Sequence, residues 1–395
     1  MEMLIREHYL AQIRPFCDSD LVKVITGIRR CGKSVILRQT ADELAASGKN
    51  CLFLDFDLRP VRSALPDADA LIRHVRDRIG SEKLYVFLDE VQNVAGWNEA
   101  CRTLRLLNCS VFITGSNSKL LSREFTKELS GRYVSFRVRP FVFREAQAFM
   151  AQSGREYAIS DYLIWGGFPD ALIQPDESTR RRYLSDLNDT IIYSDLENRY
   201  RIRRKDVFER IVDYVLVSNA RILSAKSISD YMLGQNVSVS VPTVIKYLDY
   251  LREAYVITDV PQYSAKAKSA MSYYRKIYDE DVSFNSLRRV GPRYDLTHNL
   301  ENVVLNELCF MDYMVHVFNN KGREIDFLAV KAGKQYLVQV AYSVAEDKAY
   351  EREFSAFANL DNSCKKILIT ADDVDFSTST VCHYRLKDFL MMNEL

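Results

Sequence analysis

Residues 21–46 constrain the fold more than any other stretch of this chain, because they join a buried strand, a glycine-rich turn and a helix. LVKVIT is apolar and β-branched, as expected of a buried strand, and SVILRQTADELAAS spaces its apolar residues like a helix. Between them, GIRRCGKS fits the pattern G-x-x-x-x-G-K-[ST] of a phosphate-binding loop, or P-loop. This order of elements predicts a nucleotide-binding α/β domain.

The P-loop pattern gives several of its residues a chemical task. Its glycines let backbone N–H groups approach phosphate oxygens, its lysine reaches the β- and γ-phosphates, and its serine hydroxyl is a ligand for Mg²⁺. The predicted ligands are ATP and Mg²⁺, and the lysine is also a predicted catalytic residue. The predicted nucleotide-binding residues are Gly27, Cys31, Gly32, Lys33, Ser34 and Val35.

A second strand supplies the acids that a hydrolytic P-loop requires. LYVFLDEVQN begins at Leu84, and its apolar part fits a buried parallel strand with Asp89 and Glu90 at its carboxyl end. Asp89, together with Ser34, is the predicted Mg²⁺ ligand, and Glu90 is predicted to polarise the attacking water. A single carboxylate would fit a kinase or a switch, whereas the adjacent pair favours hydrolysis.

Two further apolar runs, CLFLDFDL and CSVFITGSNS, extend the alternation of strands and helices over residues 21–140 and predict a doubly wound parallel sheet. Asn117 follows the second run, where an amide can sense the γ-phosphate, although Ser and Asn here also fit a helix N-cap. Arg132 follows a glycine turn. It fits an arginine that approaches the γ-phosphate of its own or a neighbouring subunit, and equally an ordinary surface arginine.

Four motifs in this order, GIRRCGKS, FLDEVQN, ITGSNSKLL and LSGRYV, resemble the ATPase domain of a prokaryotic family of AAA-type ATPases that carry a C-terminal domain of unknown function. An arginine that acts on a neighbour's ATP requires oligomerisation, so a homo-oligomer is predicted. The site residues that the resemblance implies are Gly27, Gly32, Lys33 and Ser34 as Walker A, Asp89 and Glu90 as Walker B, Asn117 as a sensor and Arg132 as the arginine.

Differences in composition and in the spacing of apolar residues divide the rest of the chain into domains. We predict an ATPase domain at 1–158, a helical lid or linker at 159–205, a winged-helix-like domain at 206–274 and a C-terminal domain at 275–395. YLIWGGFPDALI, in the predicted lid, resembles a GGFP-type element that follows the ATPase core in this family. The basic run RYRIRRK fits either a solvated helix face or a contact with a phosphate backbone.

Residues 206–260 indicate three helices followed by an apolar strand, the pattern of a winged helix. The second helix has a candidate N-cap near Ser224, and the third carries Pro242 in its first turn. The third helix of such a module can enter a DNA major groove, but the module also mediates protein contacts, and this helix has few basic residues. The residues that would lie near DNA are Ser238, Ser240, Thr243 and Lys246.

The last domain resembles the PD-(D/E)XK nuclease fold, in which acids on neighbouring strands hold Mg²⁺ and a lysine stabilises the attacking water. The motifs ENVVLNEL, GREIDFLAV and KQYLVQVAYS place Asp326 at the first acid, Gln339 at the second and Ala341 where the lysine belongs. Glu301 or Glu307 would join them from the preceding helix. Because a neutral amide and an alanine replace charged groups, we predict a fold that has lost cleavage and serves binding or assembly.

Composition sets the remaining limits. Lysines and arginines number 54 against 53 acids, a net charge of +1, so no global basic field points to nucleic acid or membrane. Eight scattered cysteines without a C-x-x-C pair disfavour zinc and disulfide sites. No apolar stretch has the length of a signal peptide core or a membrane span, which predicts a cytoplasmic protein.

The predicted function is Mg²⁺-ATP hydrolysis that drives conformational change in the C-terminal domains, which act on DNA or on a protein partner. An ATP-gated oligomeric switch or scaffold is the main alternative. Nuclease activity remains a further alternative, because Glu324 and Asp326 with a helix glutamate can still hold a metal. A small-molecule kinase is the least favoured, since the Asp-Glu pair favours attack by water.

Overall fold

The computed structural model describes residues 3–115, 131–263, 275–289, 293–320, 322–360 and 364–395. The chain forms two compact units. Unit 1 comprises Met1–Pro140 and Glu253–Tyr255, and unit 2 comprises Phe141–Arg252 and Val256–Leu395. The boundary at Pro140 falls before the predicted end of the ATPase domain at residue 158, because the chain from Phe141 onward packs with the second unit.

Unit 1 is built on a parallel five-stranded sheet with the order β2-β3-β4-β1-β5, which confirms the predicted parallel α/β fold. The strands are β1 (Val22–Thr26), β2 (Asn50–Asp55), β3 (Leu84–Asp89), β4 (Cys109–Thr114) and β5 (Tyr133–Arg137). The helices are α1 (Glu7–Ile13), α2 (Lys33–Ala46), α3 (Arg59–Ala64), α4 (Ala68–Arg76) and α5 (Trp97–Leu106).

The central strands of this sheet are buried along their whole length, which explains their continuous apolar sequences. Every residue of β1, β3 and β4 is buried. Phe87 of β3 stacks on Phe112 of β4 with ring centroids 4.5 Å apart, and on Phe53 of β2 at 6.2 Å. Parallel strands whose carboxyl ends meet at one edge thereby bring the polar residues after them together.

Unit 2 begins with a helical segment. Its helices are α6 (Phe143–Ala151), α7 (Ile159–Trp165), α8 (Pro169–Leu172), α9 (Glu177–Asp189), α10 (Glu197–Tyr200) and α11 (Lys205–Val217), with a π-helical stretch at Thr190–Leu196. The GGFP element joins α7 to α8, and the backbone N–H of Gly167 within it donates to Asp281 Oδ2 at 2.8 Å. The element thus separates two helices, as the sequence indicates.

A three-stranded antiparallel sheet follows, with the order β6-β8-β7. The elements are β6 (Arg221–Leu223), α12 (Ala225–Gly234), α13 (Val241–Glu253), β7 (Ile257–Pro261) and β8 (Arg275–Asp279). The predicted cap is confirmed, since Ser224 Oγ accepts the N–H of Ser227 at 2.9 Å. The sheet reaches Asp279, beyond the predicted boundary at residue 274, because β8 pairs with both of the other strands.

The C-terminal part carries a mixed sheet with the order β13-β12-β11-β10-β9. Strands β9 to β11 are antiparallel, whereas β11, β12 and β13 are parallel. The strands are β9 (Met314–Asn320), β10 (Arg323–Lys331), β11 (Lys334–Ala341), β12 (Lys365–Thr370) and β13 (Val381–Arg385). The helices are α14 (Ser283–Leu287), α15 (Leu296–Phe310), α16 (Asp347–Ala356) and α17 (Leu386–Phe389). Over the described ranges, the helices are too short or too polar to cross a lipid bilayer.

Asp279, the last residue of β8, is fully buried. Among the residues that the structure describes, neither oxygen of its carboxyl group has a hydrogen-bond partner. Burial raises the pKa of this carboxyl well above its ordinary value of 3.8. The folded chain therefore keeps a proton on Asp279 that the unfolded chain releases as the pH rises. The contribution of this group to the free energy of unfolding is fully present below the pKa of the unfolded chain, and it is lost as the pH rises toward the pKa of the folded chain.

We expect Asp279→Asn to reduce this loss, because the amide stays neutral at every pH. The midpoint of thermal unfolding of the full chain, measured between about pH 5 and about pH 8, should fall more in the wild type than in the variant. Asp230→Asn, at an exposed position of α12, is the matched control and should keep the wild-type slope. Equal slopes for wild type and Asp279→Asn would contradict a protonated Asp279.

Candidate functional site

The P-loop joins β1 to α2 and packs closely against the backbone that follows β5. Gly27 has a φ of +145°, and a Cβ on it would lie 2.0 Å from the carbonyl oxygen of Val138. Gly32 is the N-cap of α2, with a left-handed φ of +100°. Only glycine adopts both conformations without strain, so the two glycines of the motif shape the loop.

Lys33, the first residue of α2, is 4% exposed, and its Nζ donates to the carbonyl oxygen of Ile28 at 3.0 Å. This bond holds the ammonium group against the P-loop itself. The N-terminal end of α2 adds backbone N–H groups and the positive end of the helix dipole. Loop, helix end and ammonium together suit the phosphates of a nucleotide.

Asp89 receives two hydroxyl groups at the carboxyl edge of the sheet. Ser34 Oγ donates to Asp89 Oδ1 at 3.0 Å, and Thr114 Oγ1, at the end of β4, donates to the same oxygen. Burial raises the pKa of Asp89, and the two hydroxyl hydrogen bonds act in the opposite direction. Carboxylate and hydroxyl oxygens are the hard ligands that Mg²⁺ prefers, so this donor set fits the predicted ion.

Thr114, the last residue of β4, also belongs to this site. Besides its bond to Asp89, its Oγ1 accepts the backbone N–H of Glu90 at 3.0 Å. Glu90 has a left-handed φ of +51°, an unusual conformation for a residue with a side chain, and its carboxylate accepts a hydrogen bond from Gln92 Nε2. Thr114 thus fixes the backbone turn that carries the second predicted acid.

Arg132 does not lie with the P-loop of its own chain. Its carbonyl oxygen accepts the N–H of Val22 at 3.1 Å, and Tyr133 pairs with Val22 in the parallel register of β5 and β1. The P-loop follows Thr26, at the other end of β1, roughly 13 Å away along the strand. The side chain of Arg132 is exposed at that far edge.

Asn117, the predicted sensor, lies outside the described residues.

Arg6 is a buried residue of the site that the sequence analysis missed. It is 2% exposed, and its guanidinium donates to the carbonyl oxygens of Cys31 at 2.9 Å and Arg139 at 3.0 Å. The guanidinium also lies over the ring of Tyr9, 4.6 Å from its centroid. Arg6 therefore braces the P-loop against the last residues of unit 1. A single arginine near the N-terminus, outside any motif, gives no local signal of this role.

In unit 2, the structure brings together two of the four predicted nuclease-like residues around a lysine. Lys276 Nζ lies 2.7 Å from Glu301 Oε1 and 3.3 Å from Asp326 Oδ1. Burial lowers the pKa of Lys276, but the neighbouring carboxylates outweigh it and the net direction is upward. Burial and the charge of Asp326 raise the pKa of Glu301, against the effect of the lysine.

Gln339 lies next to Asp326 without contacting the lysine, whereas Glu307 lies elsewhere. Glu307 forms an ion pair with Arg144 of α6, and burial raises its pKa to about 7 against the effect of that arginine. Gln339 accepts the N–H of Asp326 at 3.3 Å through Oε1 and donates to Glu353 Oε2 at 2.8 Å through Nε2. The alternative of Glu307 as the helix acid is thus not supported, because its side chain is taken up by α6.

The predicted DNA-contacting residues surround the start of α13. Ser238, Ser240 and Lys246 are exposed, and Thr243 is half-buried. Ser240 Oγ accepts the N–H of Thr243 at 3.4 Å, and the carbonyl oxygen of Ser238 accepts from Arg204 at 2.7 Å. The surface is polar, and Lys246 is the basic member of the predicted set.

Known families and proteins are similar to this chain. Residues 19–147 match the family model of an AAA domain, and residues 156–290 match a domain of unknown function, DUF8612. The chain is 33% identical over 380 residues to an uncharacterised protein of Haemophilus influenzae, covering 93% of each. It is 30% identical over 380 residues to the uncharacterised protein MJ1544 of Methanocaldococcus jannaschii, covering 91% of this chain and 84% of that protein.

Among solved structures, a Walker-type ATPase of Pyrococcus abyssi superposes with a TM-score of 0.51 and 16% identity, over 73% of this chain and 96% of that chain. At this identity the likeness concerns the fold alone. With the AAA match and the parallel sheet, it identifies an AAA-type P-loop ATPase fold.

Proposed function

We infer that this chain, which belongs to the same family as the Haemophilus influenzae and Methanocaldococcus jannaschii proteins, binds Mg²⁺-ATP and hydrolyses it through its AAA domain. The observation that carries this proposal is the convergence of Ser34 and Thr114 on one oxygen of Asp89, beside the P-loop. The loop that binds the phosphates, the ligands of the ion and a second acid thus lie at one edge of the sheet, as hydrolysis requires.

In the proposed reaction, the P-loop N–H groups and Lys33 bind the phosphates, and Ser34 and Asp89 hold the ion. An Mg²⁺ ion bound by these two residues would supply positive charge to balance the charge that develops on the phosphate oxygens. Glu90 accepts a proton from the attacking water, for which its position directly after Asp89 is suited. The assignments of Gly27, Cys31, Gly32 and Val35 to nucleotide binding, and of Asn117 to sensing, remain proposals of the same kind.

Arg132 is proposed to act on the ATP of a neighbouring copy. Its exposed position at the far end of β1 from its own P-loop supports this alternative over action within one chain. An arginine that completes a neighbour's site increases the rate of turnover by a large factor and makes hydrolysis depend on assembly. A homo-oligomer is therefore part of the proposal.

We further propose that hydrolysis rearranges the part of the chain from α11 to β8, acting on DNA or on a protein partner. The order of one helix, a short strand, two helices and two antiparallel strands supports a winged helix, with α13 in the position of its recognition helix. The DUF8612 match extends to residue 290 and so includes all of this region. The scarcity of basic side chains on α13 keeps an ATP-gated switch as the alternative.

Phosphate release from ATP by the full chain, with and without duplex and single-stranded DNA, tests the proposal. The wild type should turn over ATP and Lys33→Ala should not, since the ammonium group that binds the phosphates is gone. Acceleration by DNA would support action on DNA, whereas turnover that ignores DNA would support a protein partner or a switch. Equal release by wild type and Lys33→Ala would contradict hydrolysis at this site.

A further inference from the structure

The ammonium group of Lys276 occupies the centre of a carboxylate cluster in unit 2. It lies 2.7 Å from Glu301 Oε1, 2.7 Å from Glu324 Oε1 and 3.3 Å from Asp326 Oδ1. The lysine belongs to β8 of the three-stranded sheet, while the carboxylates come from α15 and β10. One residue from a different sheet thus meets all three acids.

We propose that Lys276 is the built-in counter-ion of this site, filling the place between the acids where a divalent cation would bind. As a result, the C-terminal domain binds no divalent cation there and does not cleave nucleic acid. The positive charge that Ala341 cannot supply on β11 is provided from β8 instead, but it serves charge balance and not catalysis.

The hydrogen-bonding capacity of the ammonium group fits this role. An ammonium group has three N–H donors and no acceptor. Lys276 Nζ donates to Glu324 Oε1 at 2.7 Å and to Asp326 Oδ1 at 3.3 Å, and it forms an ion pair with Glu301 Oε1 at 2.7 Å. Its charge is thus matched within the cluster, whereas a catalytic lysine directs its charge at a phosphate or an attacking water.

The spacing between the lysine and the acids also fits an ammonium group. The distances of 2.7 to 3.3 Å suit N–H donation to a carboxylate, whereas Mg²⁺ requires oxygens at about 2.1 Å. Over the described part of the chain, no group of three His, Cys, Asp or Glu side chains has an arrangement that could hold a metal ion. The positions of the three carboxylates therefore fit an ammonium group and do not fit Mg²⁺.

The second acid of the nuclease-like pattern is replaced by a neutral residue. Gln339 occupies the strand position predicted for that acid, and its amide nitrogen donates to Glu353 of α16. A neutral amide directed to another carboxylate contributes nothing to a cation between Glu301 and Asp326. Asp326 Oδ2, in turn, accepts the backbone N–H of Val340 at 2.9 Å, which fixes its orientation toward the lysine.

Contacts between β8 and these acids also join the three-stranded sheet to the C-terminal sheet. Tyr278 lies two residues after Lys276 on β8, and its hydroxyl donates to Glu301 Oε1 at 2.5 Å. A groove of about 250 Å³, lined in part by Lys276, Glu324 and Asn319, opens next to the cluster. Small cations can therefore approach the acids once the lysine side chain is shortened, which makes the proposal testable.

The test is a titration with Mn²⁺ of the full chain without nucleotide, in which electron paramagnetic resonance reports free Mn²⁺. The wild type should bind no Mn²⁺ at the cluster, so Asp326→Asn should bind as much Mn²⁺ as the wild type does. Lys276→Ala should gain one site that binds Mn²⁺ at least about tenfold more tightly than the wild type does. The double variant Lys276→Ala/Asp326→Asn should lose that site again, which separates it from other sites on the chain.

Thermal unfolding keeps the proposal testable if Lys276→Ala folds poorly. The midpoint of that variant should lie below the wild-type value, and added Mn²⁺ should raise it by more than Mn²⁺ raises the wild-type midpoint. The proposal is overturned by a Mn²⁺ site or a Mn²⁺-dependent DNA cleavage that the wild type shows and Asp326→Asn lacks. It is overturned equally if Lys276→Ala gains neither binding nor stabilisation.

Discussion

Glu90→Gln should bind ATP like the wild type and yet hydrolyse it about 10² to 10⁴ times more slowly. The amide has nearly the size and shape of the carboxylate but cannot accept a proton from water. The backbone turn at Glu90 is held by its own N–H bond to Thr114, which the substitution keeps. Binding depends on the P-loop and Lys33, so the loss should appear in kcat and not in the affinity.

Single-turnover phosphate release and binding of a fluorescent ATP analogue separate these two effects. Glu99→Gln is the matched control, because Glu99 is an exposed glutamate of the same domain in the first turn of α5. It should retain wild-type turnover. If Glu90→Gln hydrolyses ATP at the wild-type rate, another group activates the water; if it loses ATP binding instead, Glu90 has a structural role at the end of β3.

The sequence predicts the local structure around the P-loop and the acidic pair, because each of these motifs is one contiguous segment. The P-loop is one unbroken segment, and its glycines are required by backbone angles that other residues rarely adopt. Asp89 and Glu90 follow a continuous apolar run, which indicates a buried parallel strand and places them at its carboxyl end. Both patterns are local, so no knowledge of distant contacts is needed.

Contacts between distant residues escape this reasoning. Arg6 and Arg139 are 133 positions apart, and a charged residue near an N-terminus ordinarily indicates a solvated side chain. Arg132 is correctly placed beside a strand, but only the register of β5 on β1 shows that it lies at the edge away from the P-loop. Strand order is a property of the assembled sheet and not of any one segment.

The C-terminal domain illustrates the same limit in its chemistry. From the motif alone, Ala341 leaves the carboxylates without a positive partner. Lys276, 50 positions before Asp326, supplies that partner from another sheet. A lysine in a strand ordinarily faces solvent, so burial of its ammonium among acids could not be expected from the sequence.

Gly27→Ala should abolish ATP binding, and this is the most severe effect we expect from a single methyl group. The new Cβ would lie 2.0 Å from the carbonyl oxygen of Val138, which is backbone and cannot rotate away. The φ of +145° is also strained for alanine. Relief requires the loop to shift away from Val138, at a cost of about 3 kcal/mol or more in the stability of unit 1.

A shifted loop moves the N–H groups that bind the phosphates, so the affinity for ATP should fall even in a variant that folds. Binding of the ATP analogue and the thermal midpoint are the two measurements. Gly80→Ala is the matched control, because a Cβ on Gly80 would meet no atom within 4 Å and its φ is not left-handed. Wild-type affinity in Gly27→Ala would mean that the loop tolerates displacement from Val138, and the close packing at Gly27 would then not be what shapes the phosphate cradle.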